Sequence, residues 1–219
     1  MVFKIYFLMF IIYSILGFII EVIFASKKKF VNRGFLIGPY CPIYGTSIIL
    51  IMIIFQKIQN PFLLFIMITI ICSINEYLTS YIMEKLFKAR WWCYSKKPYN
   101  INGRICLGNS FLFGIGGFIL IKYIHPFISL IIFNLSNKTI NIFFYSLFLI
   151  FIVDNIVSFQ VIIKIKNVTK FIKMDNTKEI NEKIKEIFNN SCLTKRLLLA
   201  FPDFKIIIND IKERIRGRK

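Results

Sequence analysis

Histidine is almost missing from this chain, with one residue, His125, in 219. The five cysteines (Cys41, Cys72, Cys93, Cys106, Cys192) show no C-x-x-C spacing, so clustered nitrogen and sulfur ligands for zinc or haem are lacking. No cofactor is indicated. No glycine precedes a lysine, which excludes a Walker A phosphate loop, and neither a nucleophile elbow nor a metalloprotease motif occurs. Charge is scarce as well. Asp, Glu, Lys and Arg make up 18% of the residues, against about a quarter in a soluble domain. Acids are the rarer sign, 11 against 29 Lys and Arg.

Apolar residues take up the difference, at 57% of the chain with a mean hydropathy of +0.66. They are gathered into runs. Five are long enough to cross a hydrocarbon core of about 30 Å, which takes about 20 residues: residues 5–25, 35–55, 61–83, 105–124 and 139–163. The first is too long for a signal-peptide core, carries Glu21 and lacks a small-x-small cleavage site, so it is expected to stay on the mature protein. The expected fold is therefore all-α, a polytopic membrane helical bundle of about five transmembrane helices. Residues 1–163 form the membrane domain and 164–219 a basic cytosolic tail of amphipathic helix.

The excess of cations follows the loops. Lys27, Lys28, Lys29 and Arg33 fill the first, and Lys88, Arg90, Lys96, Lys97 and Arg104 the third. The second and fourth are nearly neutral. Such alternation is the positive-inside rule, and it predicts the N-terminus outside and the C-terminus inside. The lipid bilayer, not nucleic acid, is then the partner that the charge addresses. Cys41, Cys93 and Cys106 fall on or near the cytosolic side, where thiols stay reduced.

Smaller features complete the outline. His125-Pro126 reads as a helix end at the outer interface, and the apolar piece 127–135 as an interfacial or re-entrant segment. Gly114, Gly116 and Gly117 suit close helix packing, and Trp91 and Trp92 an interfacial belt. In the tail, Asn176 and Glu179 resemble a capping box ahead of Ile180, Ile184, Ile187 and Phe188. Phe204, Ile207, Ile208, Ile211 and Ile215 then repeat at helical spacing, a face for the inner leaflet or for the protein's own loops. Glu21 followed by Asn32-Arg33-Gly34, and Glu76 followed by Asn102-Gly103-Arg104, form an internal echo that suggests two related hairpins.

Three acids lie well inside the predicted spans: Glu21, Glu76 and Asp154. Each costs about 2.5–3.5 kcal/mol at mid-membrane, so each is expected to face the bundle and find a partner. The predicted orientation puts all three in the cytosolic half, with serines and a glycine on the same helical faces. The available counter-charges are Arg33, Arg90 and Arg104, which arrive with Asn32, Tyr94, Asn100 and Asn102 from two loops on that side. Arginine with asparagine and tyrosine can grip a phosphate or carboxylate. The same arginines could equally serve only to neutralise the buried acids.

Tyr13-Ser14-x-Leu16-Gly17-x-x-x-Glu21, Asn32-Arg33-Gly34 and Gly38-Pro39-x-Cys41-Pro42-Ile43-Tyr44-Gly45 carry a family pattern. It continues through Glu76, Arg90-Trp91-Trp92-x-Tyr94-Ser95, Asn100-x-Asn102-Gly103-Arg104, His125-Pro126 and Asp154-x-x-x-Ser158. The whole resembles the family described as "putative ABC-transporter type IV", small multi-span permease-like proteins. Cys93 departs from it, standing where a more polar residue is expected. The resemblance implies a permease-like membrane protein, and an ATP-driven role would require a separate ATPase subunit. Two alternatives remain open at this point. One is a membrane-embedded enzyme on an anionic lipid, with Glu21 or Glu76 as general base. The other is a non-catalytic regulator that docks through its tail. The residues lean away from an enzyme.

Overall fold

The computed structural model describes residues 1–25, 35–55, 58–87, 89–171 and 205–206. Its elements are α1 (Val2–Ala25), α2 (Pro42–Phe55), α3 (Pro61–Phe87), β1 (Ala89–Arg90), β2 (Asn100–Ile101), β3 (Ile105–Cys106), α4 (Leu107–Ile119), α5 (His125–Phe133), α6 (Asn137–Phe171) and β4 (Lys205–Ile206). A π-helical turn, Leu120–Ile124, joins α4 to α5. The protein is a multi-pass helical membrane bundle. Among the described residues, four helical stretches are long and apolar enough to cross a membrane: Val2–Ile23, Pro61–Phe87, Leu107–Phe133 and Asn137–Val161.

The second apolar run behaves differently from the others. Only Pro42–Phe55 is helical in it, 14 residues or about 21 Å, which falls short of a full crossing. Pro39 and Pro42 explain the late start, because proline lacks an N–H and keeps the residue before it out of the helical region. Residues 35–41 enter the bundle as irregular chain.

The fourth run is longer than its sequence suggests. His125-Pro126 does not end the helix, and residues 127–133 continue it as α5 instead of forming a separate interfacial piece. The π-helical turn lies directly ahead of Pro126, which occupies the first turn of α5, where its missing N–H costs least. The two halves of the internal echo also differ. The described part of the first, residues 35–41, is irregular chain, whereas the second makes a β2–β3 hairpin and enters α4 directly.

Local signals set the other helix starts. Asn60 Oδ1 accepts the N–H groups of Phe62 (3.0 Å) and Leu63 (3.1 Å), with Pro61 first in α3. Ser136 Oγ accepts the N–H of Thr139 at 3.1 Å and caps α6.

Packing runs α6–α1–α2–α3–α4. Aromatic rings join α1 to α6, with Phe7 5.4 Å from Phe144 and Phe10 5.5 Å from Phe151 between ring centres. Lys4 Nζ bonds Asn141 Oδ1 at 2.6 Å, so the first turns of α1 and α6 lie at one end. Met9, Tyr13, Ile48, Ile51, Ile68 and Leu120 pack as a shared core. Gly114 and Gly117 let α4 approach Phe65, Ile68 and Thr69 of α3, while Gly116 faces open space. Large apolar side chains such as Phe62, Leu112 and Leu149 are exposed around the outside, as a lipid-facing surface requires.

Of the tail, Lys205–Ile206 is described. It pairs antiparallel with β1, Ala89 opposite Ile206 and Arg90 opposite Lys205. Those two residues are extended where periodicity predicts helix, because the free edge of β1 offers them ladder bonds. The rest of the expected tail helices, with Phe204, Ile207, Ile208, Ile211 and Ile215, lies outside the described residues.

Candidate functional site

The crossing of α1 and α2 shapes the first part of the site. A Cβ at Gly17 would collide with the Tyr44 ring, and one at Gly45 would strike Phe10 and Ser14. Each helix thus lends the other a gap. The backbone N–H of Cys41 donates to Ser14 O at 2.9 Å, fixing the register. With its ring lodged at Gly17, Tyr44 donates its hydroxyl to Glu21 Oε1 at 2.5 Å. Gly17 and Glu21 are one helical turn apart, so one residue makes room for the ring and the next turn receives its hydroxyl.

Glu76 lies deeper, only 3% exposed. Its Oε1 accepts the Tyr94 hydroxyl at 3.0 Å, and Oε2 has no hydrogen-bond partner among the described residues. Glu21 is near enough for the two carboxylates to feel each other's charge. Lys97, over the Tyr94 ring at 5.1 Å, bonds Asn109 Oδ1 at 3.0 Å and brings a positive charge toward Glu76. Burial first, and then the Glu76 carboxylate, raise the Tyr94 phenol well above its ordinary range, so this hydroxyl stays a donor.

Asp154 has a different task. It accepts the N–H of Ile37 at 2.8 Å, the N–H of Gly38 at 2.7 Å, the Ser158 hydroxyl at 2.9 Å and the hydroxyl of Tyr40. Backbone amides that run through the bundle without helical partners are thereby satisfied by one carboxylate on α6. A Cβ at Gly38 would meet both the Tyr40 ring and Asp154, so the close approach requires glycine.

Arg90 and Arg104 do not pair with these three acids. Arg104 Nη1 lies 2.5 Å and Arg90 Nε 3.0 Å from Glu84 Oε2, so both guanidinium groups share one carboxylate. Glu84 escaped the sequence reading because it falls one residue beyond the span assigned to 61–83; α3 in fact runs to Phe87. The asparagines fold the loop. Asn100 Nδ2 donates to Lys97 O at 2.7 Å and its Oδ1 accepts Gly103 N–H at 3.0 Å. Asn102 donates to the Tyr77 hydroxyl at 3.0 Å. Asn102 and Gly103 have φ of 52° and 66°, and Arg104 N–H closes onto Ile101 O at 3.0 Å. The Asn-Gly pair was therefore a readable turn signal. Asn32 and Arg33 lie outside the described residues.

One neighbour, Asn75, was missed for lack of a charge to mark it. Asn75 donates to Ile43 O (3.0 Å), Thr46 Oγ1 (2.9 Å) and Ser47 Oγ (2.8 Å), tying α3 to α2 beside Glu76. Cys93 lies beside Arg90 and Ser95 in the loop. Burial opposes its ionisation, but the Ser95 hydrogen bonds and the Arg90 guanidinium outweigh it and lower the thiol below its ordinary value.

The site that results is a seam of carboxylates and phenols, with its basic groups at the loop end. Among the described residues, no three His, Cys, Asp or Glu gather as metal ligands. No curated protein and no solved structure matches the chain. A family model does, described as "Putative ABC-transporter type IV", over residues 8–159. Every acid of the seam and both arginines on Glu84 fall within that stretch, and the chain belongs to this family.

Proposed function

We propose that this protein is the membrane component of a transporter in the cell membrane, with its N-terminus outside, its tail inside, and an ATPase on a separate chain supplying the energy. The observation that carries the reading is the buried seam itself. Glu21, Glu76 and Asp154 come from three different helices, and Asp154 holds the amides of Ile37 and Gly38, backbone that is not helical. Soluble folds gain nothing from that arrangement, whereas transporters build solute sites from it. Tyr44 and Tyr94 position two carboxylates toward the loop of residues 91–106, the basic and therefore cytosolic end. The enzyme alternative asks Arg33, Arg90 and Arg104 to hold an anionic headgroup; Arg90 and Arg104 are both bonded to Glu84, and Arg33 lies outside the described residues.

The test is purification of the tagged chain from native membranes in mild detergent. A co-purifying nucleotide-binding subunit with ATP hydrolysis is expected, together with altered hydrolysis when Glu21→Gln and Glu76→Gln are combined. Turnover of an anionic lipid by the isolated chain, with no ATPase attached, would overturn the reading.

A further inference from the structure

A cavity of about 490 Å³ lies at the other end of the bundle, away from the β2–β3 hairpin. Its walls come from α1, α2, α3, the π-helical turn and α5, and include Met9, Ile51, Leu64 and Ile121. The volume falls in the range of about 300–1,000 Å³ typical of small-molecule sites. Val2 and Phe133, at helix ends, are exposed, while Met9 and Ile51 are buried, so the cavity opens at the bundle's end and narrows inward. Among the described residues, no Lys, Arg, Asp or Glu lines it.

Tyr6, His125 and Ser129 are the residues of the lining that carry polar side-chain groups, and the last two are one helical turn apart on α5. His125 Nδ1 lies 2.6 Å from the hydroxyl of the fully buried Tyr13. A phenol donating to Nδ1 leaves the ring proton on Nε2, the nitrogen 3.2 Å from Ser129 Oγ. The π-helical turn Leu120–Ile124 explains why these groups face inward. One extra residue in a turn rotates all that follows by about 100°. Without it, residues 125 and 129 would be carried round to a different face.

We propose that this cavity binds an uncharged apolar molecule with a single hydroxyl or carbonyl, its polar group against His125 and Ser129 and its hydrocarbon against Met9, Ile51 and Ile121. The described lining offers a charged headgroup no counter-ion in the interior. The His125–Ser129 corner sets this site apart from a gap that any acyl chain would fill. The acidic seam is a separate site, and this inference stands without the transporter reading.

Full-length protein in nanodiscs, irradiated with a photoreactive long-chain alcohol and mapped by peptide mass spectrometry, tests it. Labelling is expected to saturate on α1 and α5, and to be competed by the unlabelled alcohol but not by the alkane of equal length. Met52→Trp, which places bulk at the half-buried wall, should abolish saturable labelling. His125→Phe should raise the half-saturating concentration about three- to tenfold, the loss of one hydrogen bond. If Met52→Trp does not fold, Ser129→Val, which removes the hydroxyl without filling the cavity, should raise the half-saturating concentration as His125→Phe does, and an unchanged value would overturn the proposal. Equal competition by the alkane, or equal labelling of the lipid-facing sides of α3 and α6, would show only lipid filling and overturn the proposal.

Discussion

At the scale of single residues, Glu76 depends on one donor. Tyr94→Phe removes it and leaves a carboxylate with no hydroxyl partner, a loss of about 1–3 kcal/mol for a buried polar group. The expected result is a lower melting temperature in detergent, with most of the loss absent in a Glu76→Gln background. Equal losses in both backgrounds would mean that the bond does not exist in the folded protein. Cys93 gives a pH-dependent check on the same loop. The thiolate is the reactive form, so a lowered pKa moves the midpoint of alkylation rate against pH below about 8.5, the ordinary thiol value. Arg90→Gln removes a stabilising positive charge and should move that midpoint upward, as read on the peptide containing Cys93.

At the scale of elements, the crossing of α1 and α2 is set by glycine rather than by large apolar side chains. Gly17→Leu must displace the Tyr44 ring and with it the bond to Glu21. A loss of about 1–3 kcal/mol or more from overpacking is expected. Gly116→Leu, whose Cβ would meet nothing within 4 Å, should cost little. Thermal denaturation of the two variants side by side decides it, and similar losses would defeat the packing account. The long helices were legible because about 20 apolar residues in a row leave few other choices. The short α2 and the continuous α4–α5 were less legible, for one reason. Proline tells where a helix is disturbed, not whether the chain stops, as at Pro42, or takes a wide turn and continues, as at Pro126. The site was half legible. Burial of Glu76 and Asp154 follows from their cost in lipid, but partners such as Tyr40 and Tyr44 carry no such mark. That Arg90 and Arg104 choose Glu84 depends on how far α3 extends, which run length alone does not fix.

At the scale of the whole molecule, the helix order places Asn60 and Asn137 at one end of the bundle and the loop with Cys93 at the other. The charge pattern predicts that the first end is external. In a cysteine-free background, single cysteines at 60 and 137 are expected to react with an impermeant maleimide on intact cells, and Cys93 to react only after lysis. The reverse pattern would invert the topology while leaving the fold intact. The apolar cavity would then face the cytosol and the acidic seam would face outward, so this experiment also sets the side from which each site is reached.

The clasp of Asp154 on the irregular stretch also dictates an order of assembly. Gly38 and its acceptor are 116 residues apart, so the first helices enter the membrane well before the carboxylate has been synthesised. Until then the amides of Ile37 and Gly38 lack their final acceptor, and the beginning of the protein is provisional until its last helix arrives. Truncation after Ser136 should therefore leave Cys41 open to alkylation, whereas the complete chain buries it. Protection of Cys41 in the truncated chain would mean that the first hairpin settles alone. The last helix would then be an addition to a finished core, not the piece that locks it.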